Sequence, residues 1–324
     1  MKKILAGIFI VIAFTANAQP STISKSNFVG AIDKLASVCK QHYIDKEKAD
    51  KMDELLRKNI KSGKYDTLTQ GKKLATLLTN DIKSVYPDKH LKVLYDKNLY
   101  LDLKKSEDEN DTALARQQEI DFYNSLHPNY GFEKVEIMNG NIGYVDIRAF
   151  NPNKEAKEKA AIVMSQLKDA NALIVDLRKH VGGSPEMIEF LCSYFFKEKI
   201  HLNSFYTRNS DTWEHFYTTP RNEYKWFEGK PIYILTSNFT FSGGEEFAYD
   251  MKILKRGTLI GETTGGGANP IRFIPVLDGL VIAVPFGKAV NPITKTNWEA
   301  VGVEPDIKMP AKDALEKALE LLRK

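Results

Sequence analysis

Ser242 opens the tetrapeptide Ser242-Gly243-Gly244-Glu245, inside the stretch TSNFTFSGGEEFAYDMK at 236–252. Ser-x-x-Glu is the spacing of a capping box, in which the hydroxyl and the carboxylate each accept the other residue's backbone N–H at a helix start. The same position also suits a nucleophile. A hydroxyl at the start of a helix lies in that helix's positive field, beside amides that favour a developing negative charge. Gly243 and Gly244 leave room for a substrate backbone, and the turn is similar in kind to a nucleophile elbow without being Gly-x-Ser-x-Gly. Cap and nucleophile both remain open on spacing alone.

A nucleophilic serine needs a base, and the base needs an orienting acceptor. Of the six histidines, His90 stands between a helix end (LLTNDIKSVY, then Pro87-Asp88) and the alternating run LKVLY. There an imidazole can reach toward another part of the fold and serve as general base. His180 lies beside a second glycine turn and could contact substrate. Glu299, in TNWEAVGVEPDI beside Trp298, is one of 42 acidic side chains, and nothing local singles it out.

The elements that must position these residues follow from periodicity. From Ser26 to about Asp96 the pattern is helical, with Phe28, Ile32, Leu35 and Val38, then Met52, Leu55, Leu56 and Ile60, at helical spacing. The charged stretch KKSEDENDTALARQQ (104–118) reads as a surface connection. After Tyr130, strands alternate with helices: NIGYVDIRAF, helix 154–167, ALIVDLR, helix 185–196, PIYILTS, helix 243–254 and GTLIGE. Such βαβ repetition implies a mostly parallel sheet. FIPVLDGLVIAV reads as a hairpin turning at Asp278-Gly279, and AKDALEKALELLRK as a closing amphipathic helix. Ligand sites in open α/β sheets gather where strands end and helices begin. His180 to Ser184 and Phe239 to Gly244 fall at two such places.

Residues 1–18 join Lys2 and Lys3 to an apolar run from Ile4 to Phe14 and end in Ala16-Asn17-Ala18, a small-x-small cleavage pattern before Gln19. The run falls short of the ~20 residues of a spanning helix, so the pattern predicts an exported chain, periplasmic or secreted, with no membrane span after cleavage. Removing both lysines takes the net charge from +4 to +2, that is, 44 basic against 42 acidic residues. A nearly balanced surface argues against nucleic acid or anionic lipid as the main partner. Two distant cysteines, Cys39 and Cys192, allow a disulfide or two buried thiols. No His-Glu-x-x-His motif or His/Cys cluster at ligand spacing is present, so no metal or cofactor is expected.

Six motifs occur in order: DKHLKV (88–93), NIGY (141–144), LIVDLR-x-x-x-GG (173–183), TFSGGEEFAY (240–249), GETTGGGANP (261–270) and WEAVGVEPDI (298–307). Together they resemble the tail-specific, or C-terminal processing, serine peptidases, and within them the tricorn-core and interphotoreceptor retinoid-binding branch. The resemblance implies a crotonase-like or ClpP-like α/β core behind a helical N-terminal domain. The expected division is signal peptide 1–18, helical domain 19–100, connection 101–130 and peptidase core 131–324. By motif position Ser242 matches the nucleophile, His90 the base and Glu299 the orienting carboxylate. Gly243 with Gly182 or Gly183 matches the oxyanion donors, and His180, Gly244 and Gly266 are expected to bind a peptide or protein substrate.

Several positions depart from the family. Where a related branch has a base lysine this chain has Gly267, which excludes a Ser-Lys dyad and moves the burden to His90. Lys89 replaces a serine beside the histidine, and a close cation would lower the imidazole's pKa. His180 stands in place of the usual Asn. Residues 97–130, only 34 positions, leave no space for a tail-binding PDZ domain. The alternative function is a non-catalytic carrier of an apolar ligand or peptide, its pocket lined by Phe239, Phe241, Phe247 and Tyr249, although core packing also explains these aromatics.

Overall fold

The computed structural model describes residues 25–66, 68, 70–108, 127 and 129–323. The expected signal peptide at 1–18 lies outside the described residues, as does most of the expected connection. Among the described residues no helix is long and apolar enough to cross a membrane. The chain folds as two units that are not contiguous in sequence.

The first unit takes the described residues of Met1–Glu119 together with Tyr206–Thr212 and Asn269–Lys288. Three helices, α1 (Lys25–His42), α2 (Lys46–Lys61) and α3 (Gly71–Val85), bear out the helical pattern. Strand β1 (Lys92–Tyr95) follows the His90 loop, and α4 (Lys97–Asp108) occupies part of the stretch expected to be a connection. Ile32, Leu35, Met52, Leu56, Leu74, Leu78 and Ile82 form this unit's core with Val276, Leu280, Ile282 and Val284. Those last four belong to β9 (Ile271–Leu277) and β10 (Leu280–Pro285), the predicted hairpin, whose two turn residues have positive φ, 49° at Asp278 and 88° at Gly279. The sequence division assigned this hairpin to the later core. Instead β10 pairs antiparallel with β1, Val93 opposite Ile282, so the hairpin closes the helical unit.

The second unit takes Ile120–Phe205, Trp213–Ala268 and Ala289–Lys324. Its six-stranded sheet has the order β12-β8-β7-β4-β3-β2. The strands are β2 (Phe132–Met138), β3 (Ile142–Ile147), β4 (Ala172–Asp176), β7 (Ile232–Thr236), β8 (Thr258–Gly261) and β12 (Ile307–Lys308). All neighbours are parallel except β2 and β3. Strands β3 and β4 are buried along their whole length, which is why they read as apolar runs and not as alternation.

Successive residues still face opposite ways. Val145, Ile147, Leu173 and Val175 join a core with α5 (Lys154–Gln166), α6 (Pro185–Cys192) and α7 (Gly243–Ile253). Ile142, Tyr144 and Ile174 pack with α8 (Ala314–Leu322) on the other face. Strands β5 (His201–Thr207), β6 (Thr212–Tyr217) and β11 (Gly287–Val290) form a further three-stranded sheet.

Both cysteines are buried free thiols, and burial, reinforced by Asp53, pushes Cys39 up to about 12. Ile282 is wholly buried in the middle of β10. Its truncation to alanine removes that packing and should cost about 2–5 kcal/mol, read as a lower midpoint in chemical denaturation.

Candidate active site

In the second unit, β7 runs through a turn into α7, and Ser242 is the residue just before the helix. Its backbone sits at φ 56° and ψ −120°, outside the comfortable regions for a residue with a side chain. Such conformations cost about 1–3 kcal/mol and persist only when the surroundings enforce them. An ordinary N-cap is extended, with its hydroxyl accepting a helix N–H. Here the Glu245 N–H goes to the Ser242 carbonyl at 2.8 Å, and the Ser242 hydroxyl is buried with no hydrogen-bond partner. The carboxylate arm of the capping box is made, whereas the hydroxyl lies at capping-box placement toward the Glu245 N–H but makes no hydrogen bond with it, which leaves an uncommitted Oγ.

Glu245 enforces the turn. It is fully buried and accepts hydrogen bonds from the Ser242 N–H at 2.8 Å, the Thr264 hydroxyl at 2.5 Å, the Gly266 N–H at 2.6 Å and the Gly267 N–H at 2.8 Å. The loop it holds carries the next candidate. Trp298 Nε1 donates to the Gly267 carbonyl at 3.0 Å, and the Ala268 N–H donates to Glu299 Oε2 at 2.7 Å. One buried carboxylate therefore braces the serine turn and the loop to which Glu299 is tied. Sequence reading missed this second task, because Gly266 and Gly267 lie far along the chain from Glu245.

The two glycine turns meet. Phe150 and Gly183 form a parallel bridge, with Phe150 N–H on the Gly182 carbonyl at 2.9 Å and Ser184 N–H on the Phe150 carbonyl at 2.7 Å. That pattern leaves the N–H of Gly183 itself on the opposite side, where Gly243 packs so closely that an added Cβ would lie 3.0 Å from the Gly183 nitrogen. Gly183 has φ 136° and abuts the Phe150 carbonyl, so only glycine fits. Gly182 differs, because its N–H already donates to His180 Nδ1 at 3.0 Å. Among the described residues the N–H groups of Gly183 and Gly243 have no protein acceptor.

Three expected substrate contacts take other parts. His180 is wholly enclosed, its ring 4.2 Å from that of Phe150 and against the Cα of Gly244, so its neighbours belong to the fold. Gly244 is small because that imidazole lies on it, and its N–H goes to the Phe241 carbonyl. Gly266 uses its N–H on Glu245, and its carbonyl accepts from Ala300 at 3.0 Å. The aromatics proposed to line a pocket also divide: Phe247 is core, Tyr249 packs on Trp298, and Phe239 is exposed. Phe239 borders a cavity of about 420 Å³ with His127, Glu133, Arg148, Arg178, Lys179 and Val181. Two of its cations are already paired, Arg148 with Asp146 and Arg178 with Asp176, each at 2.6 Å.

In the first unit, His90 follows α3 and is buried. Burial, with the Lys83 charge, lowers its imidazole to about 3, so the ring is neutral at pH 7. The cation that bears on it is Lys83, one of the last residues of α3, while Lys89, the expected culprit, is exposed. Asp88 sets the loop, accepting the His90 N–H at 2.9 Å on one oxygen and the Tyr43 hydroxyl at 3.1 Å on the other. Burial raises the Asp88 carboxyl.

With this geometry in hand, comparison with known proteins gives the family. Residues 141–309 match Peptidase family S41, and residues 22–122 match the N-terminal domain of that family in eukaryotic IRBP. The chain belongs to Peptidase family S41. It is 30% identical over 170 residues to the chloroplastic carboxyl-terminal-processing peptidase 2 of Arabidopsis thaliana, covering 52% of this chain and 32% of that protein. It is 23% identical over 180 residues to the carboxy-terminal processing protease CtpB of Bacillus subtilis (strain 168), covering 55% and 36%. The chain thus spans about a third of the length of these curated relatives. The photosystem II D1 C-terminal processing protease shares the fold at a TM-score of 0.55 and 14% identity, with 93% of this chain and 98% of that chain covered.

Burial, partly offset by its four donors, pushes Glu245 up to about 7 from an ordinary 4.5. Between those values the folded protein holds a proton that the unfolded chain has released. Stability should therefore fall as pH rises from about 4.5 through about 7, and Glu245→Gln should flatten that part of the profile. The amide cannot accept from all four donors as the ionised carboxylate does, so the variant should also lose about 2–4 kcal/mol at pH 8 in denaturant titrations.

Proposed function

We propose that this S41 chain is an exported serine endopeptidase working through an acyl-enzyme. The observation that carries the reading is the Ser242 hydroxyl, buried and unpartnered on a strained turn, beside the N–H groups of Gly183 and Gly243. Ser242 Oγ attacks the peptide carbonyl while His90 takes its proton, and the neutral imidazole that burial secures is the form able to do so. Glu299 orients and stabilises the imidazolium, and the two glycine amides receive the tetrahedral oxyanion. His90 then returns the proton to the leaving amine, and water repeats the sequence to release the acyl group.

The N-terminal pattern Lys2-Lys3, Ile4 to Phe14 and Ala16-Asn17-Ala18 supports export. The substrate is a peptide or protein chain. The relatives are named for C-terminal processing, but 97–130 leaves no space for a tail-binding domain, which supports internal cleavage without recognition of a free carboxylate.

A fluorophosphonate reagent tests the site. The parent protein should label at one equivalent, with labelling lost in Ser242→Ala and slowed about 10³-fold or more in His90→Ala. Unchanged labelling of Ser242→Ala would reject the chosen nucleophile, and a parent that never labels but saturably takes up an apolar fluorophore would favour the carrier. Export predicts that protein recovered outside the cytoplasm begins at Gln19 by intact mass, whereas a mass retaining residues 1–18 would contradict cleavage there.

A further inference from the structure

We propose that His180 is a positioning residue that locks the two glycine turns together through the lone pair on its Nδ1. The inference rests on the oxyanion reading above and names what holds that site in shape. One side chain touches both turns. Nδ1 accepts the Gly182 N–H at 3.0 Å, and the Cγ–Nδ1 side of the ring lies so close to Gly244 that an added Cβ there would sit 2.8 Å from His180 Cγ. The main chain of the same residue adds two links, its carbonyl accepting from Phe241 at 3.1 Å and its N–H donating to Leu177 at 3.0 Å. Gly182 precedes Gly183 and Phe241 precedes Ser242, so the ties to Gly182 and Phe241 each end next to a residue that the reaction uses.

The tautomer follows from these contacts. Nδ1 accepts, so the ring proton is on Nε2, which is buried with no partner among the described residues. An unsatisfied buried donor is unfavourable, and an apolar side chain of similar size would avoid it. The chain nevertheless places an imidazole here, which points to the acceptor at Nδ1 as the property required. Burial lowers this imidazole to about 3, so Nδ1 keeps its lone pair across the neutral range. If the acceptor is removed, the Gly182 N–H is orphaned and the 181–182 peptide loses its tie, so the 182–183 peptide is held only through the Gly182 carbonyl on the Phe150 N–H and the turn can shift about Gly182, moving the Gly183 N–H away from Gly243.

Two substitutions separate this role from packing. Asn carries Oδ1 on Cγ as His carries Nδ1, so His180→Asn keeps the acceptor and leaves a void. His180→Leu fills more of the space and removes the acceptor. With p-nitrophenyl acetate as the probe, His180→Leu should lower kcat by about 10²-fold with KM within about twofold, while His180→Asn stays within about threefold of the parent. Thermal unfolding should rank them the other way, with Asn the less stable. If the Leu variant keeps its kcat and the Asn variant loses it, packing is the whole role and the inference fails. Ser242→Ala run in parallel isolates the underlying reading: undiminished turnover there would remove the serine mechanism itself, whatever the His180 variants do.

Discussion

The second unit depends on a single desolvated carboxylate. Glu245 gathers four donors from two segments and so ties the Ser242 turn to the 264–267 loop. A backbone at φ 56° relaxes unless something pins it, and the Ser242 N–H on Glu245 is that pin. Burying the carboxylate is unfavourable in itself, so complete satisfaction of its oxygens is what makes the arrangement tolerable. From there the bracing passes outward through Gly267 to Trp298 and through Ala268 to Glu299.

The glycines around the serine have separate physical reasons. Gly183 is required by a left-handed backbone against the Phe150 carbonyl, Gly244 by an imidazole lying on it, and Gly243 by the approach of the Gly183 peptide. Only the last of these leaves polar groups pointing at a common space. A glycine-rich motif in a sequence therefore mixes positions that serve chemistry with positions that serve packing, and the backbone contacts are what sort them.

Much of this was legible from residues alone. The helical first segment, the parallel alternation after Tyr130, the turn at Asp278-Gly279 and the placement of Ser242 at the junction of β7 and α7 all follow from periodicity and turn chemistry. What escaped were facts about partners distant in sequence. Alternation in 271–285 marks a hairpin but cannot say that β1 is its neighbour. Ser-x-x-Glu spacing announces one hydrogen bond of Glu245 and is silent on the other three. His180 beside a glycine turn looks like a ligand contact until its burial is known, and Lys89 looks like the charge on His90 because it is adjacent in sequence, whereas Lys83 on the preceding helix supplies it.

The most direct measurement is the fate of the acyl group. The protein is mixed with p-nitrophenyl acetate, quenched with acid within the first turnover and digested for peptide mass analysis. One acetyl group on the peptide containing Ser242, gone after prolonged incubation, is the expected result. Release of nitrophenol with no covalent adduct, or with the acetyl group on another residue, would contradict a nucleophilic role for Ser242.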